Sequence, residues 1–214
     1  MLDDERSKVA AAARLLAARE LVHGTSGNVS ARNGAHVAIT PTGAVLAEVE
    51  AKHVTVVDLD GNVVDGNLAP TSEADLHLGV YRRYDAGAVV HTHAPVATAL
   101  SCVLDELPCV HYEMLLLGGA VRVAPYATFG TPALAASVVD ALDGKTAALL
   151  ANHGTVTHGA DMAAAVKATD LLEWACGVYW RAASIGEPRV LGDDEQRAAL
   201  ENALKIGYGK TRRV

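Results

Sequence analysis

Short apolar runs of strand length alternate with amphipathic helical segments through most of this 214-residue sequence. Apolar residues recur at helical spacing over residues 5–22, and turn dipeptides then divide residues 24–66 into β-type runs that predict hairpins. From residue 72 onward, strands and helices alternate up to a terminal helix from Asp193 to Gly207. This alternation predicts one sheet covered by helices on both faces, and the early hairpins predict that the sheet is mixed.

Residues with special backbone preferences set the predicted boundaries. Gly24 is predicted as the left-handed cap that ends the first helix, and Ser72 as the N-cap of the second. Residues 146–154 are predicted as one strand that leads into a long helix from Asp161. No internal repeat or low-complexity linker interrupts the sequence. We therefore expect residues 1–214 to form a single domain.

Charge and composition argue against several classes of partner. The formal net charge of -7 at pH 7 would repel nucleic acid and anionic membranes, and the one basic cluster is the terminal KTRR. No stretch approaches the roughly 20 apolar residues of a membrane span, and the N-terminal segment is unlike a secretory signal. Cys102, Cys109 and Cys176 indicate neither a disulfide framework nor a cysteine zinc site. We expect a cytoplasmic protein with a small-molecule partner.

A His-x-His pair stands at the end of a predicted strand. His91 and His93 are two residues apart, so their side chains point to the same face and can hold one cation. Taken alone, the pair is explained equally well as an ordinary polar strand end. A catalytic zinc takes three protein ligands and keeps one position open. His153, in the segment LLANHGT at another predicted strand end, is the best candidate for the third ligand.

The other histidines are expected to have other roles. His77 and His111 are rival ligands, but packing or hydrogen bonding to neighbouring groups is the favoured interpretation for both. The remaining four lie beside turns or at positions expected to face solvent: His23, His36, His53 and His158.

Glu73 and three loops provide candidate groups for acid–base chemistry and anion binding. In the first helical turn Glu73 can simply stabilise the helix dipole, or it can serve as a general base near a metal. The segments 24–28, 40–43 and 70–72 combine hydroxyls, glycines and free amides that could converge on a phosphate, although turn formation explains each one alone. Neither GxxxxGK[ST] nor GxGxxG occurs there, so a nucleotide site is not supported. Tyr112 is either a half-buried aromatic or a phenol that protonates an alkoxide.

The segments GTSGNVS, TPTG, PTSE, VVHTH, HYE, APYATFGT and ANHG occur in this order. Together they resemble the class II aldolase/adducin family, most closely its bacterial fuculose-phosphate aldolases, over roughly residues 5–180. The resemblance implies an α/β protein, a three-layer α/β/α sandwich around a mixed, mostly antiparallel sheet. It also implies a homotetramer with its sites at subunit boundaries.

The resemblance assigns a role to each candidate residue. It implies one Zn²⁺ per subunit, held by His91, His93 and His153. Glu73 is the implied acid/base and also contacts the zinc when no substrate is bound, and Tyr112 of a neighbouring subunit is the implied proton donor to the aldehyde oxygen. The positions that hold the substrate phosphate are matched by Thr25, Gly27, Asn28, Thr42, Gly43, Thr71 and Ser72. The positions that shape the aldehyde pocket are matched by Phe129 and Tyr208.

The implied activity is cleavage of a ketose 1-phosphate. The expected substrate is L-fuculose 1-phosphate or a similar deoxy-sugar phosphate, and the products are dihydroxyacetone phosphate and an aldehyde such as L-lactaldehyde. Alternatives within the family are methylthioribulose-1-phosphate dehydratase, ribulose-5-phosphate 4-epimerase and a decarboxylase of phosphorylated oxo-acids. The epimerase carries Asp at the position of Glu73, which argues against it. A non-enzymatic adducin-like module would lack the three histidines.

Overall fold

A computed structural model describes residues 1–209, and the basic cluster KTRR lies outside these residues. The described part of the chain forms nine strands: β1 (Asn28–Asn33), β2 (His36–Ile39), β3 (Thr55–Asp58), β4 (Val63–Asp65), β5 (Ala88–Thr92), β6 (Glu106–Leu107), β7 (Val121–Ala124), β8 (Ala147–Leu150) and β9 (Gly154–Gly159). It also forms six α-helices: α1 (Asp3–Ala18), α2 (Ala74–Arg83), α3 (Pro95–Ser101), α4 (Pro132–Ala141), α5 (Met162–Ile185) and α6 (Asp193–Ile206). Short 3₁₀ segments occupy Leu46–Glu48, Ala51–His53 and Tyr112–Leu117.

All nine strands belong to one sheet with the order β4-β3-β2-β1-β5-β9-β8-β7-β6 within residues 1–209. Neighbouring strands are antiparallel except for the pair β7 and β8, which is parallel. The mixed, mostly antiparallel sheet is therefore confirmed. β5 is the middle strand, with β1 on one side and β9 on the other.

Helices cover both faces of the sheet. Alternate residues of β5 enter different hydrophobic cores, since Val90 packs in the core that includes α1, α3 and α5, and Val89 packs in the core that includes α2 and α4. This alternation follows from the two-residue period of a strand. Leu172 of α5 and Leu76 of α2 are almost fully buried in the respective cores. The three-layer α/β/α architecture is confirmed.

Carboxylates and hydroxyls determine where several helices begin. Asp161 and Thr131 cap α5 and α4, each accepting a hydrogen bond from the backbone N–H three residues further on. The first turn of α3 is instead capped from a distance, because Glu173 of α5 accepts from the N–H groups of Val96 and Ala97 at 2.9 and 2.8 Å. The loop that follows β5 is therefore anchored to the longest helix of the described chain.

Two predicted helix boundaries are wrong. α1 ends at Ala18, because Glu20 adopts the left-handed region (φ 59°) and the chain turns so that Leu21 is buried. Gly24 lies beyond this turn and does not cap the helix. At α2 the cap position is occupied by Glu73 rather than Ser72, and it makes no side-chain capping bond. The Glu73 carboxylate is instead free for other contacts.

The predicted strand over residues 146–154 is two strands, β8 and β9. The chain reverses after Leu150, where Asn152 adopts the left-handed region (φ 55°), and Leu150 then pairs with Gly154. The prediction takes Asn152 and Gly154 as the end of one strand rather than as a turn, and so it misses β9. His158, expected to face solvent, is on β9 and half-buried, and its ring stacks on Tyr84 with centroids 5.3 Å apart. Within residues 1–209, no helix has the length and apolar character needed to cross a membrane.

Candidate active site

The pairing of β5 with β9 brings the three candidate metal ligands together. His91 lies in β5, His93 directly follows it, and His153 lies in the turn that leads into β9. The ring centroids are 4.9 Å apart for His91 and His93, 4.8 Å for His91 and His153, and 5.0 Å for His93 and His153. One nitrogen from each ring lies within 4.8 Å of the others. Three side chains from two distant segments thus converge as the sequence predicted.

A backbone hydrogen bond directs the lone pair of the His91 ring toward the centre of this cluster. Nδ1 of His91 donates to the carbonyl oxygen of Thr155 at 2.9 Å, so in the neutral ring Nε2 carries a lone pair. That Nε2 lies 3.1 Å from Nε2 of His93 and 3.1 Å from Oε2 of Glu73. Two imidazole ligands of a tetrahedral zinc are about 3.3 Å apart. The donors present therefore fit a divalent ion.

Glu73 is a buried carboxylate at the edge of the histidine cluster, with 7% of its surface exposed. Its Oε1 lies 3.4 Å from Nε2 of His153 and has no hydrogen-bond partner among the described residues. Burial raises the pKa of Glu73, but positive charge on the adjacent His91 and His153 imidazoles and the hydrogen bond from Asn28 outweigh it and hold that pKa well below its ordinary value. A divalent cation at the cluster would supply that charge while the imidazoles stay neutral. Burial lowers the pKa of both His93 and His153 to about 4. An ionised carboxylate and neutral imidazoles are the protonation states that bind metal.

Two glycines allow the close backbone contacts around the cluster. A Cβ on Gly154 would stand 2.3 Å from the carbonyl oxygen of Thr92, and a Cβ on Gly27 would stand 2.9 Å from the carbonyl oxygen of His91. Both distances are far shorter than an ordinary carbon–oxygen contact. Glycine at these positions lets the flanking segments approach the middle strand where it carries the histidines.

A cavity of about 440 Å³ opens beside the cluster. Its walls combine the metal-site residues with the predicted phosphate loops, and they are Thr25, Ser26, Gly27, Asn28, Pro41, Thr42, Gly43, Thr71, Ser72, Glu73, His93, Tyr126, Ala127, Phe129, Asn152 and His153. Two of the loops are paired, since the N–H of Thr42 donates to Ala69 and the N–H of Thr71 donates to Thr40, both at 3.0 Å. No Lys or Arg is among these lining residues, so an anion here would be held by amides and hydroxyls.

Comparison with known proteins places the chain in a family. The model of the class II aldolase and adducin N-terminal domain matches residues 7–180. The chain belongs to this family. The match covers all the residues of the histidine cluster and every loop of the 440 Å³ cavity.

Relatives of this class II aldolase are similar along nearly its whole length. A 5-deoxy-D-ribulose 1-phosphate aldolase of Bacillus thuringiensis is 38% identical over 98% of this chain and 99% of its own. A 5-methylthioribulose-1-phosphate/5-deoxyribulose-1-phosphate aldolase of Rhodospirillum rubrum is 38% identical over 92% of this chain and 89% of its own. A solved L-fuculose 1-phosphate aldolase superposes with a TM-score of 0.89 at 36% identity, covering 93% and 95% of the two chains. The chain is an aldolase-type lyase, and class II aldolases use a divalent metal.

The side chain of Asn28, predicted to bind phosphate, already has two protein partners in the class II aldolase. Its Nδ2 donates to Oε2 of Glu73 at 2.9 Å, and its Oδ1 lies 2.5 Å from Nε2 of His77. One amide hydrogen remains for another acceptor. His77 is thus buried and hydrogen-bonded, as expected, and so is not drawn into the metal cluster. His111 accepts from the N–H of Glu113 and packs its ring edge-on to that of Trp174.

Tyr112 and Tyr208, which are predicted to belong to the site, do not line the cavity. Both are exposed, and their hydroxyls are 2.9 Å apart. The Tyr208 hydroxyl also donates to Oε1 of Glu113 at 2.9 Å. Phe129 does line the cavity.

Sequence reasoning missed two polar side chains of the cavity wall. Tyr126 lies three residues before Phe129 in the segment APYATFGT, and Asn152 precedes His153. The left-handed conformation of Asn152 is one that asparagine favours, so the Asn-His-Gly sequence could have indicated a turn. Tyr126 carries no comparable signal.

A larger groove of about 770 Å³ lies between α1 and the start of α5, where Gly87 and Ala160 mark the other end of β5 and β9. None of the predicted site residues lines it. Its charged groups have mixed signs, and the Arg19 and Asp170 side chains pair with each other. The groove offers no convergent catalytic groups, so the smaller cavity is the candidate active site.

Proposed function

We propose that this class II aldolase is a zinc-dependent enzyme that cleaves a deoxyketose 1-phosphate to dihydroxyacetone phosphate and a short aldehyde. The observation that carries the proposal is the meeting of three imidazoles and an ionised carboxylate at one wall of a cavity whose other walls are rich in hydroxyls and amides. These groups correspond to the metal, the acid/base and the phosphate site that the reaction needs.

The names of the relatives support a particular substrate. Two of them act, by name, on 5-deoxyribulose 1-phosphate, and the solved structure acts on L-fuculose 1-phosphate. We propose 5-deoxy-D-ribulose 1-phosphate as the preferred substrate, because that relative matches the chain from end to end. Its cleavage between C3 and C4 gives acetaldehyde. L-fuculose 1-phosphate, which gives L-lactaldehyde, is the second candidate.

In the proposed mechanism, His91, His93 and His153 hold one Zn²⁺ per subunit. The bound ion supplies a Lewis acid for the substrate carbonyl. In the direction of synthesis, the Glu73 carboxylate accepts the proton from the hydroxymethyl carbon of dihydroxyacetone phosphate, and in cleavage it returns that proton. Tyr112 of a neighbouring subunit donates its proton to the aldehyde oxygen as the C3–C4 bond forms.

Different parts of the cavity wall contact different parts of the substrate. We assign the phosphate to the hydroxyls and backbone amides of the three loops, namely Thr25, Gly27, Asn28, Thr42, Gly43, Thr71 and Ser72. Phe129 and the Tyr208 side chain of the neighbouring subunit contact the aldehyde part. An apolar ring there suits the methyl end of a deoxy sugar better than a hydroxymethyl group.

The decisive experiment uses zinc-loaded enzyme with 5-deoxy-D-ribulose 1-phosphate, 5-methylthioribulose 1-phosphate and L-fuculose 1-phosphate. We expect release of dihydroxyacetone phosphate from all three, with the highest kcat/KM for the first. Release of water or carbon dioxide without dihydroxyacetone phosphate would assign the dehydratase or decarboxylase activity instead. Zinc-loaded protein that releases nothing from any of the three would refute the proposal.

The proposal includes a single-domain chain assembled as a cytoplasmic homotetramer, with each active site at a subunit boundary. The exposure of Tyr112 and Tyr208 outside their own cavity supports shared sites. Mixing inactive Glu73→Ala subunits with Tyr112→Phe subunits tests this. In a random one-to-one mixture, about a quarter of shared sites receive both intact residues, so activity should reappear. A mixture that stays inactive after confirmed subunit exchange contradicts shared sites.

A further inference from the structure

A buried chain of hydrogen bonds leads from Glu73 into the space between β1 and α2. Asn28 Nδ2 lies 2.9 Å from Glu73 Oε2, and Asn28 Oδ1 lies 2.5 Å from His77 Nε2. On the far side of the ring, His77 Nδ1 lies 2.7 Å from the Ser30 hydroxyl, which lies 2.7 Å from the Tyr81 hydroxyl. None of the five residues exposes more than 7% of its surface.

One arrangement of hydrogens satisfies all four contacts. An ionised Glu73 only accepts, so Asn28 donates through its NH₂ group and its oxygen must accept from Nε2–H of His77. The neutral ring then has its lone pair on Nδ1, which accepts from Ser30, and the Ser30 oxygen accepts from Tyr81. Burial lowers the pKa of His77 to about 3, so the neutral ring is the form present at neutral pH.

We propose that His77 is a positioning residue for the acid/base step: by donating to Asn28 Oδ1 it keeps the Asn28 NH₂ group turned toward Glu73 and so aims the carboxylate. Without this donor the amide can turn over and present its oxygen to the carboxylate, which would repel it. In the part of the chain that the structure describes, Oε1 of Glu73 has no hydrogen-bond partner of its own, so the orientation of the carboxylate depends on Oε2. The inference rests on the proposed role of Glu73.

Substitution of His77 by Gln or by Asn distinguishes the roles of its two ring nitrogens. The amide nitrogen of Gln reaches about as far as Nε2 of His, whereas Asn reaches only as far as Nδ1. His77→Gln therefore keeps a donor for Asn28, and His77→Asn leaves the Asn28 oxygen unpaired. Tyr81→Phe is the matched control, because it removes a buried hydroxyl from the far end of the chain and leaves both contacts of His77 in place.

The assay is hydrogen exchange at the hydroxymethyl carbon of dihydroxyacetone phosphate, which reports the Glu73 step alone. In zinc-loaded His77→Asn we expect kcat for exchange to fall at least about tenfold, with KM and zinc content nearly unchanged, because the loss is one of orientation. His77→Gln and Tyr81→Phe should stay within about threefold of wild-type kcat, even where their thermal midpoints fall. Wild-type exchange in His77→Asn, or equal losses in all three variants, would overturn the proposal.

A second measurement needs no variant. Nuclear magnetic resonance of the ¹⁵N-histidine-labelled enzyme should show His77 neutral, with its hydrogen on Nε2, between pH 5 and pH 9. A hydrogen on Nδ1 would reverse the chain and overturn the inference even if His77→Asn does not fold. Wild-type enzyme that exchanges no hydrogen would refute the proposed function instead, and the spectrum would still decide the direction of the chain.

Discussion

A methyl group at Gly154 would enter the space between the two strand ends that carry the metal ligands. Its carbon would stand 2.3 Å from the carbonyl oxygen of Thr92 and 3.0 Å from Cδ2 of His93. An ordinary carbon–oxygen contact is about 3.3 Å or longer, so the strands must part by about 1 Å. Because His153 moves with Gly154, the ligands separate by a similar amount. Misplacement of this size costs about 100-fold in turnover, or about 2.7 kcal/mol of transition-state stabilisation.

The measurements on Gly154→Ala are dihydroxyacetone phosphate release at saturating zinc, zinc affinity by chelator competition, and thermal unfolding. Close overpacking should cost about 1–3 kcal/mol, and each kcal/mol lowers Tm by about 2–4 °C in a chain of this length. Gly186→Ala is the control, because a Cβ there meets no atom of residues 1–209 within 4 Å and its backbone is extended (φ 168°). Wild-type zinc affinity and turnover in Gly154→Ala would refute the idea that this close contact holds the ligands in register.

Three further predictions concern single side chains. His153→Ala should leave the purified protein with much less than one zinc per chain, whereas His158→Ala, on the same hairpin but outside the cluster, should keep its zinc. Tyr112→Phe should slow carbon–carbon bond cleavage at least about tenfold while hydrogen exchange on dihydroxyacetone phosphate continues, and equal losses in both rates would contradict the separate roles. Asp161→Ala removes the cap of α5 and should cost about 1 kcal/mol, or about 2–4 °C in Tm, with zinc content unchanged.

The local sequence pattern is sufficient to predict a feature that is determined within a single strand or a single turn. The two-residue period of β5 alone predicts that His91 and His93 lie on one side. Asp161 marks a helix start correctly, since capping is decided within a few residues. The third ligand, His153, depends on β5 pairing with β9, and no local pattern encodes that pairing. The order of the family's motifs indicates it instead.

Prediction fails where tertiary contacts override local preference. Glu73 takes the cap position of α2 without capping, because its carboxylate turns toward the Asn28 amide, which donates to it, and toward the histidine cluster. β9 is not predicted because the Asn-His-Gly segment is taken as the polar end of a strand, although asparagine also favours the left-handed turn that Asn152 forms. The Asn28 side chain makes hydrogen bonds to Glu73 and His77 only because β1 packs against α2. A local sequence pattern does not predict that packing. Tyr112 lies outside the cavity of its own chain, and one sequence does not position it relative to another subunit, where we propose that it acts.

Within residues 1–209, β5 has four strands on each side, so the candidate metal ligands lie on or beside the part of the sheet that is furthest from a free edge. Backbone hydrogen bonds there should be among the last to open in hydrogen exchange. The facing wall, with Tyr126 and the two-thirds exposed Phe129, belongs to loops. Substitutions in that wall could therefore change which aldehyde is accepted without altering the candidate metal ligands on and beside β5.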